Sequence, residues 1–205
     1  MMNPYERYKE TNIPWVEKVP EHWKIERIGK LFLERKNKVS DKDYPPLSVT
    51  KMGILPQLAT AAKSDDGDNR KLVQAGDFVI NSRSDRKGSS GISSLAGSVS
   101  LINIVLVPRR DNNSFFMNYL LNSNSFIEEY YRNGRGIVAD LWTTRFSEMK
   151  TIMLPVPPRD EQDQIVCFLD WKLSKINKLI ESKKKQIVLL NEQKQAIINK
   201  AMTKG

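Results

Sequence analysis

Apolar residues along this chain change their spacing at about residue 155. Upstream they fall in short clusters bounded by glycine, proline and polar loops, which is how strands read. Leu47-Ser-Val-Thr50 predicts one strand, and Leu72 to Ile80 sets a Gly76-Asp77 turn ahead of a second, Phe78-Val79-Ile80. Gly91 to Gly97 reads as a hairpin-like interruption, and Val99 to Val107 as a longer strand closed by Pro108. Helical spacing marks about Ile25 to Arg35, with Ile28, Leu31 and Phe32 on one face. A longer helix is expected over Ser114 to Asn133, striped by Phe116, Tyr119, Leu120 and Ile127, and a last strand over Thr151 to Leu154. Pro4, Pro14 and Pro20 alternate with Tyr5, Tyr8, Trp15 and Trp23 near the amino end. The prolines exclude a regular helix while the aromatics need burial, so an extended arm packed on the domain is predicted.

Past Pro155, Pro157 and Pro158 the pattern becomes one helix of roughly forty residues without interior proline or glycine. Leu169, Ile176, Lys183, Leu190 and Ile197 form one column, and Leu173, Ile180, Ile187, Lys194 and Ala201 a second. Eight of these ten positions are apolar, at alternating spacings of four and three, the heptad pattern of a helix that packs along its length on another helix. Its length, about 60 Å at 1.5 Å per residue, exceeds what a compact domain needs. The partner is another copy of the chain or another protein. Lys183 and Lys194 put polar groups in the seam, where they either fix register or let their stems snorkel past it. The fold class is therefore α+β: a β-rich domain with short helices over residues 1–155, then a long-helix pairing and spacer region over 156–205.

Composition narrows the function. The 205 residues carry a net charge of +9, which points to a polyanionic partner, nucleic acid before an anionic membrane surface. A single cysteine, Cys167, forms no internal disulfide and fits a reducing compartment. No apolar run approaches a membrane span and the amino terminus is too polar for a secretion signal, so a soluble cytoplasmic protein is expected. His22 is the only histidine and reads as structural. Without a His/Cys cluster there is no metal site to expect, and without a phosphate loop or catalytic constellation the chain reads as non-catalytic and free of cofactors.

Two basic loops carry the candidate chemistry. Asn81, Ser82, Arg83, Ser84, Arg86 and Lys87 lie in a glycine-flanked stretch, and Arg135, Thr143, Thr144 and Arg145 in a second. Arginine grips guanine through two acceptors, asparagine pairs with adenine, and serine, threonine or lysine hold phosphates. A solvated flexible loop has much the same composition. Lys51, Lys63 and Arg70 are weaker candidates of the same kind.

Leu154-Pro-Val-Pro-Pro-Arg-Asp-Glu-Gln-Asp-Gln-Ile165, Leu169-Asp170, Ile176-Asn-Lys-Leu-Ile180, Leu190-Asn-Glu-Gln-Lys194 and Ala201-Met-Thr-Lys-Gly205 closely resemble the helical region of the DNA-specificity (S) subunits of type I restriction–modification systems. Pro14-Trp15-Val16 and Val19-Pro20-Glu-His-Trp23 resemble the start of a target recognition domain in that family, and Gly76-Asp77-Phe78-Val79-Ile80 its β-rich core. The resemblance implies a non-catalytic subunit that chooses the sequence on double-stranded DNA for docked methylation (M) subunits and a restriction (R) subunit. Full-length members hold two recognition domains and two antiparallel helices; this chain holds one of each and resembles a half-subunit, either natural or truncated. Two copies pairing their seams as an antiparallel coiled coil would be related by a two-fold axis and read an interrupted palindrome. The alternatives are a stand-alone DNA-binding regulator or decoy, and an adaptor whose helix does the work.

Overall fold

The computed structural model describes residues 5–58, 67–109, 112–136 and 142–204. It divides the chain into two compact units, Met1–Gln162 and Asp163–Gly205. Pro4 and Lys63 lie outside the described residues.

The expected amino-terminal arm is an antiparallel hairpin, β1 (Tyr8–Ile13) with β2 (Val16–Pro20), turning at Pro14-Trp15. The Trp15 ring meets Phe126 edge-on at 5.8 Å, so the aromatics of this segment are the groups that hold it. The helix expected over Ile25–Arg35 shrinks to one turn. Residues β3 (Lys24–Arg27) and β4 (Phe32–Glu34) are strands, and only α1 (Ile28–Leu31) between them is helical. Apolar residues at i, i+3 and i+4 fit one helical turn as well as a strand–turn–strand, and here the ladders made by the flanking strands decide.

Four short strands follow, β5 (Lys38–Val39), β6 (Leu47–Thr50), β7 (Gly53–Pro56) and β8 (Arg70–Val73). Next come β9 (Phe78–Asn81), β10 (Ser90–Ile92), β11 (Gly97–Ser100) and β12 (Asn103–Pro108). β6 and β9 stand where the sequence puts them. The single strand expected over Val99–Val107 is broken at Leu101-Ile102: β11 pairs with β8, while β12 pairs with β9 and β4. Two sheets result, ordered β10-β9-β12-β4 and β11-β8-β5. Val73, Val79, Val99 and Val105 meet Leu47 and Ile54 in a common core cluster, with β-branched side chains suited to the pleat. A bidentate ion pair braces it, since Arg35 Nε and Nη2 lie 2.8 and 3.0 Å from the Asp77 carboxylate in the turn before β9. Gly76 supplies that turn with its φ of 93°.

The helix expected over Ser114–Asn133 is two helices, α2 (Ser114–Leu121) and α3 (Asn124–Arg132). Asn113 Oδ1 caps the first through Phe115 N and Phe116 N, and Ser123 Oγ caps the second through Phe126 N at 3.3 Å. Ser123 thus offers a second start where the apolar stripe alone reads straight through. After α4 (Phe146–Met149), β13 (Met153–Val156) pairs with β3, two residues later than the expected strand. Pro155 is tolerated because this is a two-stranded ladder with free edges.

The last element, α5 (Arg159–Lys204), has 46 residues and is about 70 Å long. Its first turn is fixed within the first unit by two neighbouring side chains. Glu161 accepts hydrogen bonds from Tyr5 Oη (3.0 Å) and Trp23 Nε1 (3.0 Å) and lies 2.5 Å from His22 Nε2. Gln162 is buried, accepts from Asn113 N at 2.8 Å and donates to Pro157 O at 2.9 Å. His22 thus takes part in holding the first turn of α5. Burial pushes the Glu161 carboxyl up, but hydrogen bonds from Trp23, His22 and Tyr5 and the charge of His22 outweigh it, leaving the pKa below the usual value. A folded-state pKa below the unfolded one contributes stability above the unfolded value and loses it as pH falls through the folded one. Glu161→Gln should therefore cost about 1–3 kcal/mol at pH 7 and progressively less below about pH 4.5, measured by denaturant unfolding of both proteins across pH. A cost that stays constant down to pH 3 would remove the charge from this explanation.

Candidate nucleic-acid interface

The two basic loops come together at Thr143. Thr143 bridges Arg83 on one side and Arg135 on the other, and exchanges backbone hydrogen bonds with Arg135 at 2.9 and 3.0 Å. Ser84 N donates to Trp142 O at 3.1 Å, and Thr144 N to Ser82 O at 3.0 Å. Residues 142–144 thus lie as a strip between the loops, and both loops become one surface.

That strip rests on the end of α3. Tyr130 Oη donates to Thr144 O at 3.0 Å while Thr144 Oγ1 donates back to Tyr130 O at 3.0 Å. Tyr131 Oη donates to Asn81 O at 2.9 Å, and Trp142 Nε1 to Tyr131 O at 2.7 Å. Burial pushes both tyrosine hydroxyls well above their ordinary pKa, so they remain proton donors here. Gly134 lets Trp142 lie close: an added Cβ would sit 2.6 Å from Trp142 Cδ1 and 2.8 Å from Thr144 Oγ1. Loops of this composition need not be floppy, and these are held from beneath.

The predicted residues divide by burial. Asn81, Ser82 and Thr144 are buried and build the platform: Asn81 Oδ1 accepts from Arg83 N at 3.0 Å, and Ser82 Oγ donates to Ile102 O at 2.5 Å. Ser84 is half-buried in a short 3-10 turn over Ser84–Arg86. Arg86, Arg135 and Arg145 are exposed and Arg83 half-buried, so four guanidinium groups flank the strip. Asp85 lies 3.3 Å from Arg83 Nε and 3.7 Å from Arg86 Nε, and Glu148 lies 3.8 Å from Arg135 Nε. Burial raises the Glu148 pKa, but bonds from Ser147 and backbone amides and the Arg135 charge lower it by more, so this carboxylate stays charged. Lys87 is 2.5 Å from Glu128 and stands 5.9 Å over the Tyr131 ring.

Two candidates fall elsewhere, and a third is not described. Arg70 is buried, with Nε and Nη2 donating to Ser98 Oγ (2.8 Å) and Ser98 O (3.1 Å); burial lowers its pKa, and it ties β8 to β11 rather than facing a ligand. Lys51 is exposed in the β6–β7 turn, on a hairpin that lines neither groove described below. Lys63 lies outside the described residues.

Two open grooves border the platform. One, of about 570 Å³, is lined by Ser82, Arg83, Thr143 and Arg145 and by Lys36 and Lys71, which sequence reading passed over. The Arg35-Lys36-Asn37-Lys38 run was the available signal, but its position beside the loops is a product of the sheet. A larger groove, of about 780 Å³, is lined by Trp15, Lys87, Glu128, Arg132 and Trp142. Its bases are matched by acids, Lys87 with Glu128 and Arg132 with Glu129, each at 2.5 Å. The smaller groove is lined by four bases and one acid, Glu34, and is the more positive of the two.

On the long helix, Leu169 is half-buried and all the other seam positions are exposed: Leu173, Ile176, Ile180, Lys183, Ile187, Leu190, Lys194, Ile197 and Ala201. The large apolar ones run from 41 % exposed at Leu173 to 69 % at Ile197, more apolar surface than a lone helix leaves in water. Among the described residues no helix is long and apolar enough to cross a membrane, and no group of three or more His, Cys, Asp or Glu is placed to hold a metal ion.

The β-rich domain thus carries a braced cationic surface, and the long helix that follows it an open apolar seam. The chain belongs to the family of the type I restriction modification DNA specificity domain, whose model matches residues 20–189. It is 24 % identical over 204 residues to the type I restriction enzyme MjaVIII specificity subunit of Methanocaldococcus jannaschii, covering 97 % of this chain and 46 % of that protein. Its fold is similar to the HsdS subunit from Thermoanaerobacter tengcongensis (TM-score 0.60, 19 % identity, 93 % of this chain and 47 % of that one). It is also similar to a chain from a structure describing complex assembly and conformational transition of the type I R-M system (TM-score 0.64, 19 % identity, 92 % and 47 %). The chain spans about half the length of the relatives it matches.

Proposed function

We propose that this chain is a half-length specificity subunit of a type I restriction–modification complex, which reads DNA sequence and leaves catalysis to its partners. The observation that carries this is the meeting of both basic loops at Thr143 on a buried aromatic platform, within a chain of the specificity family. In this reading residues 1–155 form the target recognition domain, residues 156–205 the pairing and spacer helix. Two copies pair antiparallel through the exposed seam, which restores the two domains of a full-length subunit and sets two identical readers in inverted orientation. Methylation subunits and a restriction subunit dock on this dimer, and the chain needs no cofactor of its own.

A binding titration of the chain with its methylation subunits, on duplex DNA at several salt concentrations, tests the reading. Several phosphate contacts should give a steep fall of log affinity with log salt, by about 0.9 per contact. A shallow dependence would favour the adaptor, and steep binding that needs no methylation subunit would favour the stand-alone regulator.

A further inference from the structure

The break between β11 and β12 puts two large apolar side chains, Leu101 and Ile102, at the tip of a tight turn. Turns favour glycine, asparagine, aspartate and serine, and a β-branched isoleucine is among the stiffer side chains to place there. Both residues are exposed, at 38 % and 43 %. Their backbone is nonetheless fixed. Ile102 O accepts from Ser82 N (3.3 Å) and Ser82 Oγ (2.5 Å), and Asn103 Nδ2 donates to Ser100 O at 3.1 Å. Lys71 Nζ reaches Asn103 O at 2.8 Å. The fold thus holds an apolar pair rigidly in water, against both local turn preference and burial, and such a conflict between levels marks a functional position.

The surroundings say what covers it. Leu101 and Ile102 line the smaller groove together with four bases, Lys36, Lys71, Arg83 and Arg145, and one acid, Glu34. Glu34 is itself matched by Lys71 at 3.3 Å and Lys36 at 3.6 Å. An apolar protein surface would have to desolvate this cationic rim, whereas a polyanion is drawn to it. In the major groove the one apolar feature of a base edge is the thymine 5-methyl group.

We propose that the Leu101–Ile102 turn is a base-reading element that packs on thymine methyl groups in the major groove, while Lys36, Arg83 and Arg145 around it hold phosphates. This rests on the DNA-recognition reading above. Sequence preference then comes partly from an apolar contact, in addition to the hydrogen-bonding side chains of the basic loops.

The test uses the full chain in complex with its methylation subunits and a duplex carrying its mapped target. Each thymine is replaced in turn by deoxyuridine, which removes the methyl group alone. The wild-type complex should lose about fourfold in affinity at one or more thymines, the worth of one buried methyl-sized group. Leu101→Ala/Ile102→Ala should bind the unmodified target more weakly, keep its melting temperature, and no longer distinguish thymine from deoxyuridine at those positions. Ile102→Val, which keeps the apolar contact, should retain the distinction. Equal wild-type affinity for every substituted duplex, a target lacking thymine, or an alanine variant as sensitive as wild type would each overturn the proposal. Failure of the wild-type complex to prefer its target over random duplex would overturn the recognition reading as well, and so is distinguishable from these.

Discussion

Reversing the charge of Arg83 and Arg145 together should lower DNA affinity by about a hundredfold or more, since each arginine contact is worth about 1–3 kcal/mol and a reversal adds repulsion to the loss. These two line the smaller groove from different loops, which the Arg83–Thr143 bridge joins. The salt dependence should flatten at the same time, by about one unit of slope per phosphate contact removed. The fold should hold, because Arg145 is exposed and Arg83 is half-buried beside Asp85 rather than in the core. Titration of variant and wild type on one duplex, with thermal unfolding of each, makes the measurement. Unchanged affinity in a folded variant would move the reader elsewhere on the domain.

The second large effect lies in the helix. Ile180→Lys with Ile187→Lys should convert the proposed dimer to monomers. Burying an isoleucine side chain is worth about 1.5–3 kcal/mol, and a symmetric pair would lose four of them, on the order of 6–12 kcal/mol before the added charge repulsion. That is enough to dissociate even a nanomolar dimer at working concentrations. Both positions are exposed in the single chain, at 45 % and 59 %, so the recognition domain should melt as before. Native mass spectrometry reads the result directly. A variant that remains dimeric would place the contact on another face of α5.

How much of this was legible in the sequence depends on the range of the interaction involved. β6 and β9 could be read because each is an apolar cluster closed by its own turn residues. The long helix could be read because eight of its ten heptad positions are apolar and no proline or glycine breaks it. Ile25–Arg35 misled because its spacing fits a helix, while its strands are decided by β13 and β12, far along the chain. Ser123 was a cap hidden within an apolar stripe. The site divides the same way. Both basic loops stood out by composition, but a bridge through Thr143 between distant segments leaves no local trace. Arg70 resembled the other loop cations, yet its guanidinium is held by Ser98, a neighbour supplied only by the pairing of β8 with β11. Leu101 and Ile102 read as the middle of a strand, because a turn made of large apolar residues carries none of the usual turn signals.

The most direct test of the account is a methylation map of DNA from cells expressing this chain with its methylation subunits. Two identical readers held by a shared helix pair predict a symmetric motif, two inverted half-sites separated by a fixed unspecified gap. A contiguous or asymmetric motif, with the chain as the sole specificity protein present, would contradict the paired half-reader.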